Sequence, residues 1–441
     1  YGSRIREGRT ASHVLTMVST TVDISPEVPT VLGCGPENPV APRGDENLEA
    51  NLVLLRDSMG GKVLFISIDA LYVGPNLRSH LERTLSDFLE PPEIFLAATH
   101  THNAPQLDDT KPKLGLAETH HVQRVALKIS QAATHLLTEK SQPVRIRSRR
   151  YRVRSVVRRR WRRPVTISRM GVEFFKVQAL RNPRTGKITS EVIEFVSADE
   201  NLAAIIWIMP CHPTSLPNPD AISAHYIGEV RQRIRAKTGN ENTTVVFLQG
   251  ASGDIRPPAY RQARGDILEN VRRIFRGRVF DTFSDANYSE WVEKVFKEFD
   301  STGALRGWAV ANTEKAFVNS RYYKMNLSEA YSFNYPRSRF ASCHIVDIAG
   351  LRIVGVSAEP TWNMRKKLLR GRAESTIVGC IDDTFGYLPS PGEFSAGGYE
   401  ASGFLSSFAL RPVVKNPPEV IGIFIKGAGQ VADSSTLGSV P

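Results

Sequence analysis

The sequence predicts an α/β fold of layered mixed β-sheets flanked by helices, and three observations predict it. KVLFISID (Lys62–Asp69) and EIFLAA (Glu93–Ala98) are continuous apolar runs of strand length. Between them, PNLRSHLERTLSDFLE (Pro75–Glu90) carries apolar residues at helical spacing. A strand-helix-strand order makes the two strands parallel and buried on both faces. Third, AAIIWIM (Ala203–Met209), TTVVFL (Thr243–Leu248) and LRIVGV (Leu351–Val356) read as further buried strands.

The remaining elements follow in order. Glu118–Glu139 reads as an amphipathic helix. Arg145–Val153 alternates arginine with apolar residues and reads as a half-exposed strand. Helices are expected at Ala224–Lys237, Trp308–Arg321 and Thr361–Arg370. There is no internal repeat or low-complexity linker. The expectation is one domain over residues 15–426, with 255–305 as a surface insertion and Gly427–Pro441 as a loose tail.

With 441 residues, 41% hydrophobic and 23% charged, the composition is that of a globular protein. No apolar run approaches the roughly 18 residues of a transmembrane helix. The N-terminus, YGSRIREGRTASHVL, lacks an apolar signal-peptide core, so no signal peptide is read in this chain. The four cysteines, Cys34, Cys211, Cys343 and Cys380, show no CxxC spacing. A disulfide framework is not expected, and the expected compartment is reducing, that is cytoplasmic. Oligomeric state leaves no mark in the sequence.

The net charge of +12 is partly local, because VRIRSRRYRVRSVVRRRWRRP (Val144–Pro164) holds eleven arginines and no acid. A second basic stretch is Arg256–Arg278. Such stripes bind phosphate backbones, anionic glycans or lipid headgroups, or they are solvated faces of strand pairs. Zinc-finger spacing, a basic-plus-heptad pattern and RNP-like aromatics are all absent, which argues against specific nucleic-acid binding.

Four polar clusters each follow an apolar strand. THTH (99–102) follows IFLAA, CHPTS (211–215) follows IIWIMP, QGASGD (249–254) follows VVFL, and SAEP (357–360) follows LRIVGV. In α/β sheets, ligands bind in the crevice at strand ends. His100, His212 and Glu359 would supply the two nitrogens and one oxygen of an open zinc site. On an extended strand His100 and His102 would face one pocket. Each member alone has a plainer reading: strand-end polarity for HxH, a turn for CHP, a helix cap for Glu359. Asp69 and Asp254 are candidates to orient a ligand imidazole through its second nitrogen, or to cap strand ends. His102, next to the proposed ligand His100, is placed to shuttle a proton or to stabilise an oxyanion.

ATHTHNAP, PCHPTSL, GASGDIRP, GVSAEP and GYLPSPGEFSAGGYEAS, in this order, resemble the neutral/alkaline non-lysosomal ceramidase family. TTVDISPEVPTVLG (Thr20–Gly33) and KVLFISIDALYV (Lys62–Val73) are similar to that family's opening, so the resemblance covers roughly residues 20–426. It implies a layered α/β catalytic domain and a Zn2+ held by His100, His212, Glu359 and Tyr387. It places His102 on the catalytic water and an arginine, Arg162, close by, and Tyr399 of the Tyr399–Glu400 pair and Asp254 are expected, with His102, to be the catalytic residues. The chain departs from the family at GDIRP, where Arg256 stands in place of a serine, and it lacks the family's C-terminal accessory domain.

The expected activity is hydrolysis of an amide bond, or second an ester, by metal-activated water. Arg256 and Arg162 would bind an anionic substrate, whether small molecule, lipid or glycan, because the guanidinium fork matches carboxylate, sulfate and phosphate. The alternatives are a ceramidase or other N-acyl lipid amidase, and a non-catalytic polyanion-binding protein.

Overall fold

The computed structural model describes residues 14–33, 40–41, 47–158, 165–169, 172–177, 188–218, 220–258, 283–301, 309–310, 317–326, 331–332, 340–369, 375–397, 399–403, 413–414 and 422–426. A large sheet is built from β1 (Leu15–Asp23), β2 (Glu49–Asp57), β3 (Lys62–Ile68), β4 (Ile94–Ala98), β5 (Gln142–Arg152), β6 (Thr189–Ser197), β7 (Leu202–Met209) and β8 (Thr244–Gln249). Their order is β8-β7-β6-β5-β1-β2-β3-β4, with Ala309–Val310 pairing beside β5. The pairs at the two ends, β3 with β4 and β7 with β8, are parallel. The pairs between them are antiparallel. A second sheet has the order β9 (Val318–Asn326), β10 (Phe340–Ile348), β11 (Leu351–Val356) and β12 (Ser375–Val378).

The period-2 alternation of strands assigns the layers. Leu64, Ile66, Leu96 and Ala98 face α1 (Gly74–Thr84) and α2 (Thr119–Thr138), packing on Leu77, Leu81, Val125 and Ile129. Val63, Phe65, Phe95 and Ala97 face the other way, against Val346, Ile348, Ile353 and Val378 of the second sheet. At the far end of the large sheet, Ile205, Trp207, Val245 and Phe247 pack against α3 (Tyr226–Thr238) and α4 (Asp285–Asp300) through Tyr226, Val230, Trp291 and Val295. Burying each such side chain stabilises by about 1.5–3 kcal/mol.

The large sheet curls until its two edges meet. Ser67 Oγ on β3 donates to Phe247 O on β8 at 2.5 Å. The turn after β12 then laces the edges together. Gly379 N donates to Gln249 O at 2.8 Å, and Ala98 N donates to Cys380 O at 2.9 Å. Only glycine fits at 379, since a Cβ there would stand 2.6 Å from Ala358 O. The carboxyl ends of both parallel pairs therefore open onto one place.

Several expectations are corrected. The helix expected at Pro75–Glu90 ends at Thr84. Within Trp308–Arg321, residues from Val318 onward form a strand instead of a helix, because Val318 to Arg321 pair with Ile348 to Ile345. Within 255–305, residues 259–282 lie outside the described ones. The helix α4 in that stretch is core rather than surface insertion: Trp291 is 3% exposed and its Nε1 donates to Ser155 O at 2.6 Å. The tail 427–441 and Cys34 also lie outside the described residues. Cys211, Cys343 and Cys380 are free and buried. Among the described residues, no helix is long and apolar enough to cross a membrane.

Three glutamates offset part of the charge of the arginine-rich strand β5. Arg150 pairs with Glu191 at 2.9 Å and Arg149 with Glu194 at 3.8 Å, while Arg145 and Arg147 share Glu200.

Candidate metal centre

Glu359 and Tyr387 face each other in a two-residue parallel bridge, Glu359↔Tyr387 and Pro360↔Leu388. The bridge points both side chains to the spot where β4 and β7 end. His100 arrives from β4 and His212 from β7. Both imidazoles, with Glu359 and Tyr387, are 5% exposed or less.

The donor atoms converge. His100 Nε2 lies 3.2 Å and His212 Nε2 3.1 Å from the same oxygen, Glu359 Oε2. His212 Nε2 is also 3.2 Å from the Tyr387 hydroxyl. The ligand atoms of His100, His102 and His212 all lie within 4.8 Å of one another. His100 Nε2 is buried and makes no hydrogen bond, although the carboxylate is adjacent. These groups aim at a shared point more than at each other. Two imidazole nitrogens, a carboxylate and a phenol suit zinc, so the residues present fit the metal.

Local structure fixes each ring. Contrary to the expectation, His100 and His102 are not on an extended strand. β4 stops at Ala98, and His100 adopts a left-handed φ of 68°. The turn, not the strand pleat, sets the two rings edge to face with centroids 5.0 Å apart. A non-glycine residue in that region is uncommon and costs stability that other contacts must offset. His100 Nδ1 contacts Leu71 O at 3.1 Å. His212 Nδ1 contacts Ser252 O at 2.8 Å and Ile255 O at 3.2 Å. Backbone carbonyls thus orient both imidazoles, leaving Nε2 to face the centre.

That corrects the expectation for the two aspartates. Asp69 Oδ2 accepts from Glu49 N at 2.8 Å and from Arg231 Nη1 at 2.7 Å. Asp254 uses Oδ2 for Arg158, at 2.6 and 2.9 Å, and Oδ1 for Trp362 N at 2.8 Å. Neither touches an imidazole. Asp254 instead pins the turn whose Ser252 and Ile255 carbonyls hold His212.

A residue the sequence reading missed is Tyr72, just after β3. It is buried, and its hydroxyl donates to Glu359 Oε1. Burial, and then the Glu359 charge, raise the Tyr72 phenol well above its ordinary pKa, so it stays a donor. Glu359 then presents Oε2 to the two imidazoles. The signal was available: DALY follows an apolar strand just as the other clusters do.

The electrostatics separate the three histidines. Burial would raise the Glu359 carboxyl, but His100 and His212 overcome it and hold the group well below the usual carboxylate range. Burial would lower His100, yet Cys380 and Glu359 raise it well above its ordinary value. His212 is pushed down to about 4, chiefly by burial. Burial first, then the charges of His100, His212 and Arg256, push His102 well below its ordinary value. That places Arg256 within electrostatic reach of the centre. Arg256 is half-buried, pairs in register with Val157, and has a buried Nε without a hydrogen-bond partner. Tyr399 packs edge-on against Tyr387, centroids 5.4 Å apart. Arg162 lies outside the described residues.

The fold is that of neutral ceramidase. The chain matches the crystal structure of neutral ceramidase from Pseudomonas aeruginosa with a TM-score of 0.70 at 14% identity, over 96% of this chain and 75% of that one. A structure of a ceramidase complexed with C2 matches with the same TM-score and identity, over 96% and 76%. No family model and no curated protein sequence matches the chain.

Proposed function

We propose that this chain is a zinc-dependent hydrolase that cleaves an amide bond, or second an ester, in an anionic substrate. The observation that carries the reading is the convergence of His100 Nε2, His212 Nε2 and the Tyr387 hydroxyl around Glu359 Oε2 in a buried pocket. His100, His212, Glu359 and Tyr387 would hold the metal. When bound at such an open site, zinc acidifies water to a pKa of about 7 and polarises a carbonyl.

The chain's own residues divide the remaining work. Burial first, and then neighbouring positive charge that includes the Arg256 guanidinium, keep His102 neutral. A neutral imidazole takes a proton from an attacking water or lends its N–H to a developing oxyanion. Tyr72 and Tyr399 position Glu359 and Tyr387. Asp254 is a positioning residue acting through the carbonyls that hold His212. Arg256 offers a guanidinium with no acidic partner among the described residues, and so would bind the substrate's anionic group, with Arg162 as a second candidate.

Metal content and a substrate panel test this. Protein purified without added zinc should carry about one equivalent of metal, as a His₂Glu set predicts. N-acylated or O-acylated acidic sugars and lipids should be hydrolysed, and Arg256→Ala should depress their turnover more than that of neutral analogues. Metal far below one equivalent would favour a non-catalytic polyanion-binding protein. The fold match supports a second reading, a ceramidase or other N-acyl lipid amidase. Hydrolysis confined to ceramide would establish it and remove the anionic substrate.

A further inference from the structure

Beside the chain that leads into His212 and Ser252 lies a separate, small polar cleft open to solvent. Arg150, Arg365, Thr189 and Thr376 line it, together with Gly250 and Pro210. Arg365 stands on the short helix α5 (Met364–Leu369), with its guanidinium 4.4 Å above the centre of the Trp362 ring. Its Nε is buried without a hydrogen-bond partner, and it makes no ion pair with any described residue. Arg150 shares the cleft and is bound to Glu191 through Nε at 2.9 Å. Two cations and one carboxylate therefore face one polar cleft.

A half-buried guanidinium without a counter-charge is unfavourable unless something else compensates it. Burial, and then the charge of Arg150, both disfavour the Arg365 cation. Stacking on an indole holds the guanidinium plane still while leaving its edge open to a ligand. Two hydroxyls, Thr189 and Thr376, are on the same walls.

We infer that this cleft is a binding site for a phosphate-type oxyanion, held by the guanidinium of Arg365 with that of Arg150 and the threonine hydroxyls beside it. The site is distinct from Arg256 and from the metal-holding residues. Pro210, Gly250 and Ala251, on its floor, lead directly into His212 and Ser252. An anion here therefore braces the chain that carries one imidazole and its orienting carbonyl. The ligand is either the free ion or a phosphate headgroup.

Titration calorimetry at fixed ionic strength tests this, with inorganic phosphate in one arm and a soluble short-chain phosphatidate in the other. Saturable one-to-one binding is expected, weakened about tenfold or more by Arg365→Gln and unchanged by Arg147→Gln, whose side chain is outside the cleft. Arg365→Lys should fall between, since it keeps the charge and loses the fork. Binding of inorganic phosphate assigns the free ion. Binding of phosphatidate alone assigns the headgroup. Wild-type affinity in folded Arg365→Gln protein would overturn the site, because the phosphate would then be elsewhere, at the metal centre included. Absence of binding in both arms at millimolar ligand would overturn it too. The readout is binding, so it stands or falls separately from hydrolase activity.

Discussion

Strand β5 and the candidate metal centre both concentrate ionisable groups, and they use them in opposite ways. On β5 the arginines are half-exposed and stand across from acids, Arg150↔Glu191 and Arg147↔Glu194 in register. Screened pairs of this kind are worth about 0–1 kcal/mol each. At the centre the groups are fewer, come from distant parts of the chain, and are buried where charge is poorly screened. Density of charge along a sequence therefore says little about a site. A polar residue at the end of an apolar strand says more, because the sheet carries it to where other strand ends arrive. Arg365 and Arg256, which meet no acid among the described residues, lie off β5, and of the β5 arginines only Arg150 reaches a cleft.

The sharpest way to break this comparison is to remove one group from the centre. His100→Ala should cost more than about 100-fold in metal affinity, since loss of even an outer supporting partner costs 10–100-fold. His102→Ala should keep the metal and lower turnover by about 10²–10⁴. Metal loss in His102→Ala, read by elemental analysis, would make His102 a ligand instead. Next comes Asp254→Ala. Among the described residues it leaves Arg158 with Glu393, 3.3 Å away, and it should cost about 3–5 kcal/mol in urea unfolding. A cost near zero would show that the turn behind His212 needs no pin.

A smaller effect is expected from pH. His344 is fully buried against Pro92 O and Ser320, and burial lowers its pKa to about 3. Above its unfolded value of 6.5 it costs nothing. As pH falls below that value the unfolded chain takes up a proton that the folded one refuses, and stability is lost down to about pH 3. From pH 6.5 to 5 this removes roughly 2 kcal/mol, and His344→Asn should flatten that slope in denaturant titrations. The smallest effect belongs to β5. Arg147→Ala should change stability by less than about 0.5 kcal/mol and leave phosphate binding untouched. A larger loss would mean that its pair with Glu200 is not the screened contact described.

The sequence marked this site unevenly, for physical reasons. His100, His212 and Glu359 were legible because each follows a run apolar enough to be a buried strand. The left-handed turn at His100 was not, because threonine and histidine carry no turn signal. Asp69 and Asp254 looked like partners for imidazoles, but backbone carbonyls, which have no letter in a sequence, took that place. β2, β6 and β10 escaped notice because Asn51, Glu191 and His344 interrupt their apolar pattern. Each of these is satisfied across strands or sheets, by Thr21, Arg150 and Pro92 respectively. Val318–Asn326 failed for a related reason: its partner strand, Phe340–Ile348, overrides its local periodicity.

The lacing turn at Gly379 and Cys380 bears on the order in which the molecule can be made. A growing chain that ends before residue 378 lacks the lacing bonds to Gln249 and Ala98, which leaves backbone groups at both ends of the large sheet exposed to pairing with other chains. It also lacks Tyr387, the register partner of Glu359. The pocket must close late, because His100 and Tyr387 are far apart along the chain, and contacts of such sequence separation form slowly. Until then the newly made protein depends on whatever shields its open edges, and the four proposed ligands come together only once Tyr387 has been made.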